Sequence, residues 1–348
     1  MRNIFLFIAA ACASLAAQAQ TTEKQMATLQ HGDQTYVFYG PDALVSAYNA
    51  AADSADVITL SSGEFNVGNQ HYTKSLSIYG AGMEDDETMG TKRTYLKSSI
   101  TFSHTNTVNS DGETVVDGRK ADGTHLEGLH INGEVMINLL NNQSPICNLE
   151  IVKCKMERLR YYEATCYNNT VRQSVIGYVE SYHDYTNHGY AGNLLFSNCH
   201  ISGLSYNFPS NSTITIDHCV TTGGGAYNYT NSIIRSSVYP GSSTSNNIFI
   251  GNTFDGVLVN NNWNDVKNAG VWAAEGEDGT YAENKDFALK YPNKYIGTDG
   301  TQVGLHGGVY AWNKIPAIPR ITECTIDTQD AANGTIKLNI KAEAQTKE

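Results

Sequence analysis

One stretch of the chain, residues 161–190, concentrates side chains that could bind a sugar. Its candidate ligand-binding residues are Tyr161, Tyr162, Tyr178, Glu180, Tyr182, His183, Asp184 and Tyr185. Tyrosine rings offer apolar faces for sugar stacking and a hydroxyl for hydrogen bonding, and acidic and imidazole groups can fix the orientation of a ligand. We expect Tyr182 and Tyr185 to contribute most. The alternative is that these tyrosines only cover the core beneath a loop.

The densest basic stretch comes just before this region and could support lyase chemistry. It contains Lys153, Lys155, Arg158 and Arg160, with Glu150, Glu157 and Glu163 nearby. A lyase removes the proton beside a uronate carboxylate with a Lys or Arg. The interpretation that we favour is a solvated face on which acids balance the bases. Hydrolysis would need a close set of carboxylates, and Asp217-His218, at a predicted bend, is the nearest fragment. No residue is therefore predicted to be catalytic.

No metal or cofactor is predicted from the spacing of the potential ligands. The cysteines form no Cys/His zinc pattern, and no acidic run places Asp or Asn ligands at alternate positions of a calcium loop. We expect folding to be independent of calcium. Cys147, Cys154, Cys166, Cys199, Cys219 and Cys324 are expected to be mostly free, buried thiols that act as small apolar residues.

The N-terminus predicts export. Arg2, the apolar residues 4–11 and Ala17-Gln18-Ala19 match the three parts of a signal peptide at residues 1–19, with cleavage after Ala19. A membrane anchor and lipidation of Cys12 are the weaker alternatives. We expect a secreted protein, extracellular, on the cell surface or periplasmic. No second long apolar segment occurs, so the mature chain is not expected to span a membrane.

The charge of the chain limits its partners. Loss of Arg2 with the signal would move the formal net charge from -12 to -13. Such a surface repels nucleic acid and polyanionic glycans. The expected partner is a neutral or weakly charged extracellular polysaccharide, and nucleic acid is not expected.

A repeat runs through the middle of the chain. A bulky apolar residue is followed three positions later by a small residue, and then by another apolar residue. The small residues are Cys154, Ser174, Cys199, Cys219, Ser237 and Thr253, and Leu129 takes this position in an earlier repeat. The steps between them are 25, 20, 25, 20, 18 and 16 residues. Strands stacked ~4.8 Å apart with small residues at each bend would produce this pattern.

The repeat predicts an all-β fold, a right-handed parallel β-helix over residues 56–259. A leucine-rich repeat would need a steady Leu/Asn consensus and a propeller would need longer repeats. Before the helix we expect, within residues 20–55, a hairpin at 26–39 and a capping helix at 41–52. After it we expect a long loop and closing motif at 260–317. Within residues 318–348 we expect a C-terminal strand pair, with strands at 320–327 and 335–342.

Two segments resemble known proteins. Residues 43–63 and Leu76-Ser77-Ile78-Tyr79-Gly80 look like the capping helix and first coils of the pectin-lyase-like superfamily. Residues 299–308, followed by Ile318-Pro319, resemble a closing motif of surface β-helix proteins from polysaccharide-degrading bacteria. The resemblance implies the fold and a secreted carbohydrate-related role. It carries over no active-site residue, because the hydrolase motifs Asn-Thr-Asp, Asp-Asp, Gly-His-Gly and Arg-Ile-Lys are absent.

The expected function is glycan binding or a structural role without catalysis. The alternative is a polysaccharide lyase or glycoside hydrolase with an unfamiliar site. A groove with converging Lys/Arg and carboxylates would favour the enzyme, and an aromatic surface without them would favour binding.

Overall fold

The fold is mostly β-structure with two short helices, in the part of the chain that the computed structural model describes. That part comprises residues 25–52, 54–87, 90–103, 106–108, 110–112, 114–116, 121–138, 146–162, 166–182, 191–205, 208, 212–224, 227–238, 245–251, 261–317, 320–326 and 338–343. The predicted signal peptide lies outside these residues. The helices are α1 (Ala43–Ala50) and α2 (Asn268–Val271). Neither is long and apolar enough to cross a membrane, nor is any other described helix.

The N-terminal elements are a hairpin followed by α1. Strands β1 (Met26–His31) and β2 (Gln34–Tyr39) pair antiparallel, and Gly32 provides the left-handed turn between them with φ of 56°. Helix α1 buries Leu44, Ala47 and Tyr48 in the same core as β1. The predicted hairpin and a helix within the predicted residues are thus present.

The first sheet continues from the hairpin as a stack of parallel strands. Its strand order is β2-β1-β3-β5-β10-β13-β16-β19-β21-β23, and every pair from β3 onward is parallel. These strands are β3 (Ser54–Leu60), β5 (Ser75–Tyr79), β10 (His125–Glu127), β13 (Glu150–Val152), β16 (Thr170–Arg172), β19 (Leu194–Ser197), β21 (Ile214–Asp217) and β23 (Asn228–Thr230). One buried side chain from each repeat stacks in register: Ile78, Leu126, Ile151, Val171, Phe196, Ile216 and Tyr229.

The second sheet is also parallel, and one row of its buried apolar side chains belongs to the same core. Its strands are β4 (Gly63–Phe65), β6 (Thr94–Leu96), β7 (Ile100–Phe102), β11 (His130–Asn138), β14 (Lys155–Tyr162), β17 (Val175–Tyr182), β20 (His200–Ile201), β22 (Val220–Gly224), β24 (Ile233–Val238), β25 (Ile248–Ile250) and β26 (Trp263–Val266). Its buried apolar row is Leu96, Ile131, Met156, Ile176, Ile201, Ile234 and Phe249.

Three smaller sheets complete the described strands. The first is parallel and consists of β12 (Ile146–Cys147), β15 (Cys166–Tyr167) and β18 (Ala191–Gly192). The others are antiparallel pairs, β8 (Asn106–Val108) with β9 (Thr114–Val116) and β27 (Arg320–Ile326) with β28 (Leu338–Glu343). The last pair is the predicted C-terminal strand pair.

The predicted column of small residues is confirmed over its first four members and wrong at Ser237. Cys154, Ser174, Cys199 and Cys219 are completely buried between the two apolar rows. After Cys219 the column continues through Ser232 and Asn247, in steps of 13 and 15 residues. The predicted register through Ser237 therefore fails, because Ile234 belongs to the second sheet's row rather than the first. Tyr229, not Ile234, begins that repeat. Thr253 lies outside the described residues.

The cysteines are free thiols wherever their side chains are described. Cys154, Cys166, Cys199 and Cys219 are buried, and Cys147 is half-buried. Burial raises the pKa of Cys154 to about 12, which keeps this thiol protonated and unreactive. The expectation of buried, free thiols is confirmed for these four residues.

A C-terminal segment, residues 296–317, runs back along the bends between the two sheets; we call it the strap. The bend residues before the small-residue column have left-handed backbones, with φ between 48° and 53°, and their side chains hold the strap. Asn246 donates to the Ile296 carbonyl, Asn231 to Thr298 Oγ1, Asn198 to the Leu305 and Gly307 carbonyls, Gln173 to the Ala311 carbonyl and Lys153 to the Ile315 carbonyl.

The chain just before and within the strap also covers outward-facing apolar side chains of the second sheet. Val220, Ile233 and Ile248 pack beneath Trp272 and Phe287 in a second hydrophobic cluster. Farther along this outer face, Glu134 of β11, Arg158 of β14, and Tyr178 and Glu180 of β17 are half-buried.

Candidate ligand-binding surfaces

The predicted sugar-binding residues do not form one site in the structure. Some lie in the core, some lie on the outer face of the second sheet, and others lie outside the described residues. Tyr161 points inward, is 2% exposed and packs against Phe208 with ring centroids 5.9 Å apart. Its ring is a core element and has no face for a ligand. Tyr162 and Tyr182 occupy paired backbone positions at the ends of β14 and β17. His183, Asp184 and Tyr185 lie outside the described residues.

Glu180 joins an ion-pair lattice on the outer face, which we define as Glu134, Arg158, Arg160 and Glu180. Arg160 contacts Glu180 at 2.5 Å and Glu134 at 3.1 Å, and Arg158 contacts the same two carboxylates at 3.3 and 3.4 Å. The parallel register of β11, β14 and β17 places these residues in adjacent rows. The lattice has two positive and two negative charges and is therefore neutral.

Tyr178 lies on the same face beside the lattice. Its ring is 5.9 Å from the Arg158 guanidinium, and a Cβ built on Gly203 would come within 2.8 Å of its Cε2 atom. Glycine at position 203 thus lets the tyrosine ring lie close against the next strand position. An aromatic ring and the planar Arg and Glu groups share one half-exposed surface.

The basic stretch is balanced by acids, as predicted, but Lys153 is buried rather than solvated and the acidic partners are not the predicted Glu150, Glu157 and Glu163. Lys155 contacts Glu283 at 2.6 Å, and Lys153 lies 3.9 Å from Glu127 while it holds the strap. Arg158 and Arg160 belong to the lattice. All four basic residues therefore contact carboxylates.

A cavity of about 540 Å³ lies near the start of β14, and the sequence did not predict it. We call it the strap cavity. It is lined by the segment between β5 and β6, by Glu283 and Asn284, and by residues 314–316 of the strap.

Glu84 is the most unusual residue of the strap cavity. Its side chain is 6% exposed; Oε2 accepts a hydrogen bond from Lys314 at 2.6 Å, whereas Oε1 accepts none and lies 4.0 Å from Lys155 Nζ. Burial raises the pKa of Glu84 despite the hydrogen bond from Lys314. One buried acceptor in the cavity is therefore unsatisfied.

Arg93 is at the centre of a row of alternating acidic and basic side chains in the wall of the strap cavity. Arg93 donates to both carboxylate oxygens of Glu283, at 2.9 and 3.1 Å, and to Asp85 at 3.0 Å. The Arg93 backbone N–H is the main reason that the pKa of Asp85 is lowered. Arg93 also lies 3.1 Å from His130 Nδ1; burial and the cations Lys155 and Arg93 lower the pKa of His130 to about 4, so this imidazole is neutral.

Asp217-His218, the nearest fragment to a hydrolase motif, is an anchor for the strap. The imidazole is 1% exposed, with Nδ1 3.0 Å from Asp217 and Nε2 3.2 Å from Thr301 Oγ1. It is enclosed by these partners. Elsewhere in the described residues, no group of three or more His, Cys, Asp or Glu side chains could hold a metal ion.

The strap cavity escaped sequence reasoning because its parts are remote in sequence. Glu84 and Lys314 are separated by 230 positions, and Arg93 and Glu283 by 190. The acidic run Glu84-Asp85-Asp86-Glu87 was the only local signal. No family model, curated protein or solved structure matches this chain. The resemblance to the pectin-lyase-like superfamily therefore rests on sequence motifs alone.

Proposed function

We propose that this chain is an exported, right-handed parallel β-helix that binds an uncharged glycan without catalysing a reaction. Two parallel sheets around one core, with successive strands joined through the other sheet, support the β-helix. The right hand is the general preference of parallel crossover connections. The hairpin and α1 before β3 would cap one end. Export rests on the signal-like N-terminus, and the pectin-lyase-like resemblance is part of the same proposal.

The observation that carries the binding function is the neutral lattice beside Tyr178. The two guanidinium and two carboxylate groups offer several donors and acceptors in fixed directions. The Tyr178 ring adds a face for stacking. An uncharged sugar can use these groups without displacing an ion pair, whereas an anionic polymer would compete with Glu134 and Glu180 for the two arginines. It would also approach an exported chain whose net charge is -13 after loss of Arg2. The sequence adds Tyr162, Tyr182, His183, Asp184 and Tyr185 to the proposed ligand-binding residues.

Binding to an array of neutral and acidic polysaccharides, followed by calorimetry with the best ligand, tests this function. Tyr178→Ala should weaken binding roughly three- to tenfold through lost stacking. The Tyr182→Ala/Tyr185→Ala double variant should weaken it further, with an unchanged melting temperature. Tyr36→Ala is the control, since this tyrosine is 46% exposed on β2. Binding to no neutral polysaccharide, or a preference for acidic ones, would contradict the proposal. Unchanged binding by both tyrosine variants would place the site elsewhere.

An enzyme is the second candidate, and one observation favours it. In the strap cavity the neighbouring carboxyls of Glu84 and Asp85 have pKa values shifted in opposite directions, as in acid and base pairs of hydrolases. Incubation of the wild-type protein with each bound polysaccharide, monitored by reducing-sugar release and by ultraviolet absorbance, distinguishes this candidate. If the wild type cleaves a polysaccharide and the Glu84→Gln variant does not, the function is hydrolysis rather than binding alone.

A further inference from the structure

We propose that the strap cavity is a second subsite for the same glycan, so that one polymer chain lies along β14 from the cavity to the lattice. This inference rests on the proposed function and adds the substrate class: an uncharged polymer that is longer than one subsite.

Strand β14 connects the two places. It begins at Lys155, which contacts Glu283 and Glu84 of the strap cavity, and continues through Arg158 and Arg160 of the lattice. At ~3.3 Å per residue, Lys155 and Arg160 are about 17 Å apart along the strand. That distance corresponds to a few sugar units rather than one. None of these three side chains is buried.

The strap cavity contains an acceptor that lacks a hydrogen-bond donor. Glu84 Oε1 is buried and accepts no hydrogen bond, although Glu84 lines the cavity. A sugar hydroxyl can donate to this carboxylate. A carboxylate group of an acidic sugar has no donor to offer.

The charge of the strap cavity disfavours an anionic ligand. Its cations, Arg93 and Lys314, are both paired with carboxylates. Five carboxyl residues line it, Glu84, Asp85, Asp86, Glu87 and Glu283, so an anionic sugar would be repelled. The volume of about 540 Å³ falls within the usual range for small-ligand pockets, roughly 300–1,000 Å³.

A length series tests the inference. Gluco-, manno- and xylo-oligosaccharides of two, four, six and eight units are titrated into the full protein by calorimetry. The affinity of the wild type should rise with length until both subsites are filled. Asn284→Trp places a bulky side chain at an exposed position of the cavity wall, and should abolish that gain, about tenfold for the longest oligomer. Asn284→Ala, which leaves the cavity open, is the matched control.

Different results would contradict glycan binding and the second subsite. If the wild type binds no oligosaccharide of any length, the proposed function is wrong and this inference falls with it. If short oligomers bind, Tyr178→Ala weakens them, and Asn284→Trp binds the longest oligomer as the wild type does, then glycan binding stands and the second subsite is excluded. Equal melting temperatures of the two Asn284 variants confirm that the comparison reports on the cavity.

Discussion

Asn198, at the bend between the two sheets, is hydrogen-bonded to Leu305 of the strap. Its side-chain amide donates to the Leu305 carbonyl at 2.9 Å and to the nearby Gly307 carbonyl at 2.7 Å. The residue is fully buried and its backbone is left-handed, with φ of 53°. Asparagine tolerates this conformation better than most residues. The same position thus turns the chain and fastens the strap.

Replacing this side chain should weaken the protein substantially. Asn198→Ala leaves the Gly307 carbonyl without a donor and the Leu305 carbonyl with only the Trp312 N–H. It also puts alanine in a left-handed conformation, so the free energy of unfolding should fall by about 2 to 4 kcal/mol. Asn148→Ala is the control, because Asn148 has a similar φ of 58° but is exposed. Chemical denaturation of both variants measures the difference. Equal losses would mean that backbone strain, rather than the strap, accounts for the effect.

Stability should depend on pH through His125. This imidazole lies 2.8 Å from Glu150 and 3.1 Å from Glu127, whose other oxygen accepts the Ala317 N–H of the strap. Although burial opposes it, hydrogen bonding to Glu127 and Glu150 raises the pKa of His125. A raised folded-state pKa stabilises the protein below the unfolded value of about 6.5, and this contribution is lost as pH rises through the folded value.

The destabilisation of His125→Gln should therefore be large at pH 6 and shrink toward pH 9. Melting temperatures across this range, for the wild type and the variant, measure it. His71→Gln is the control, since His71 is exposed and contacts the Ser103 hydroxyl rather than a carboxylate. A difference for His125→Gln that stays constant with pH would contradict a protonated imidazole at this position.

Gly203 should control the position of the Tyr178 ring. In Gly203→Ala the new Cβ would meet this ring at under 3 Å from Cε2, so the ring must move away from the sheet. We expect glycan affinity to fall about as much as in Tyr178→Ala, with little loss of stability. Gly270→Ala is the control, because its nearest contact would be an ordinary 3.6 Å. Full affinity in Gly203→Ala would show that the ring position is unimportant for binding.

The buried column of small residues should not tolerate a larger side chain. Cys199 is completely buried and stacks on Cys219, whose Sγ lies 3.3 Å from the Cys199 N–H. Cys199→Phe should lower stability by about 1 to 3 kcal/mol through overpacking, and Cys199→Ser should cost less. Denaturant midpoints of the two variants compare them. A tolerated phenylalanine would show that the bend has spare volume.

Calcium should not be required for folding. Three of the five carboxylates that line the strap cavity are paired with Lys or Arg: Glu84 with Lys314, and Asp85 and Glu283 with Arg93. Adding a chelator to purified protein should leave the melting temperature unchanged, as judged by thermal unfolding with and without re-added calcium. A large, calcium-reversible loss would contradict this prediction.

The sequence predicted the parallel β architecture well because its signal is local. The triplet ending at Ile201 places a bulky, a small and an apolar residue within six positions, and stacking repeats this pattern in register. The prediction from sequence failed where two local patterns compete. Ile234/Ser237 fits the repeat as well as Tyr229/Ser232 does, and only the pairing of the strands decides between them. The alternation of side chains along β14 could not by itself predict that Tyr161 points into the core. The face on which each side chain lies depends on the register of the strand.

The strap also changes how the protein can fold. In a stack of strands that contact only their neighbours, folding can start anywhere and spread. Here Lys314 reaches Glu84 across 230 positions, and Ala317 reaches Glu127 across 190. Such contacts raise the contact order, which slows folding. In a chain emerging from the ribosome, the bend side chains that donate to strap carbonyls, and the His218 imidazole, lack these partners until the last fifth of the chain is made. The sheets and the strap should therefore assemble late, in one cooperative step.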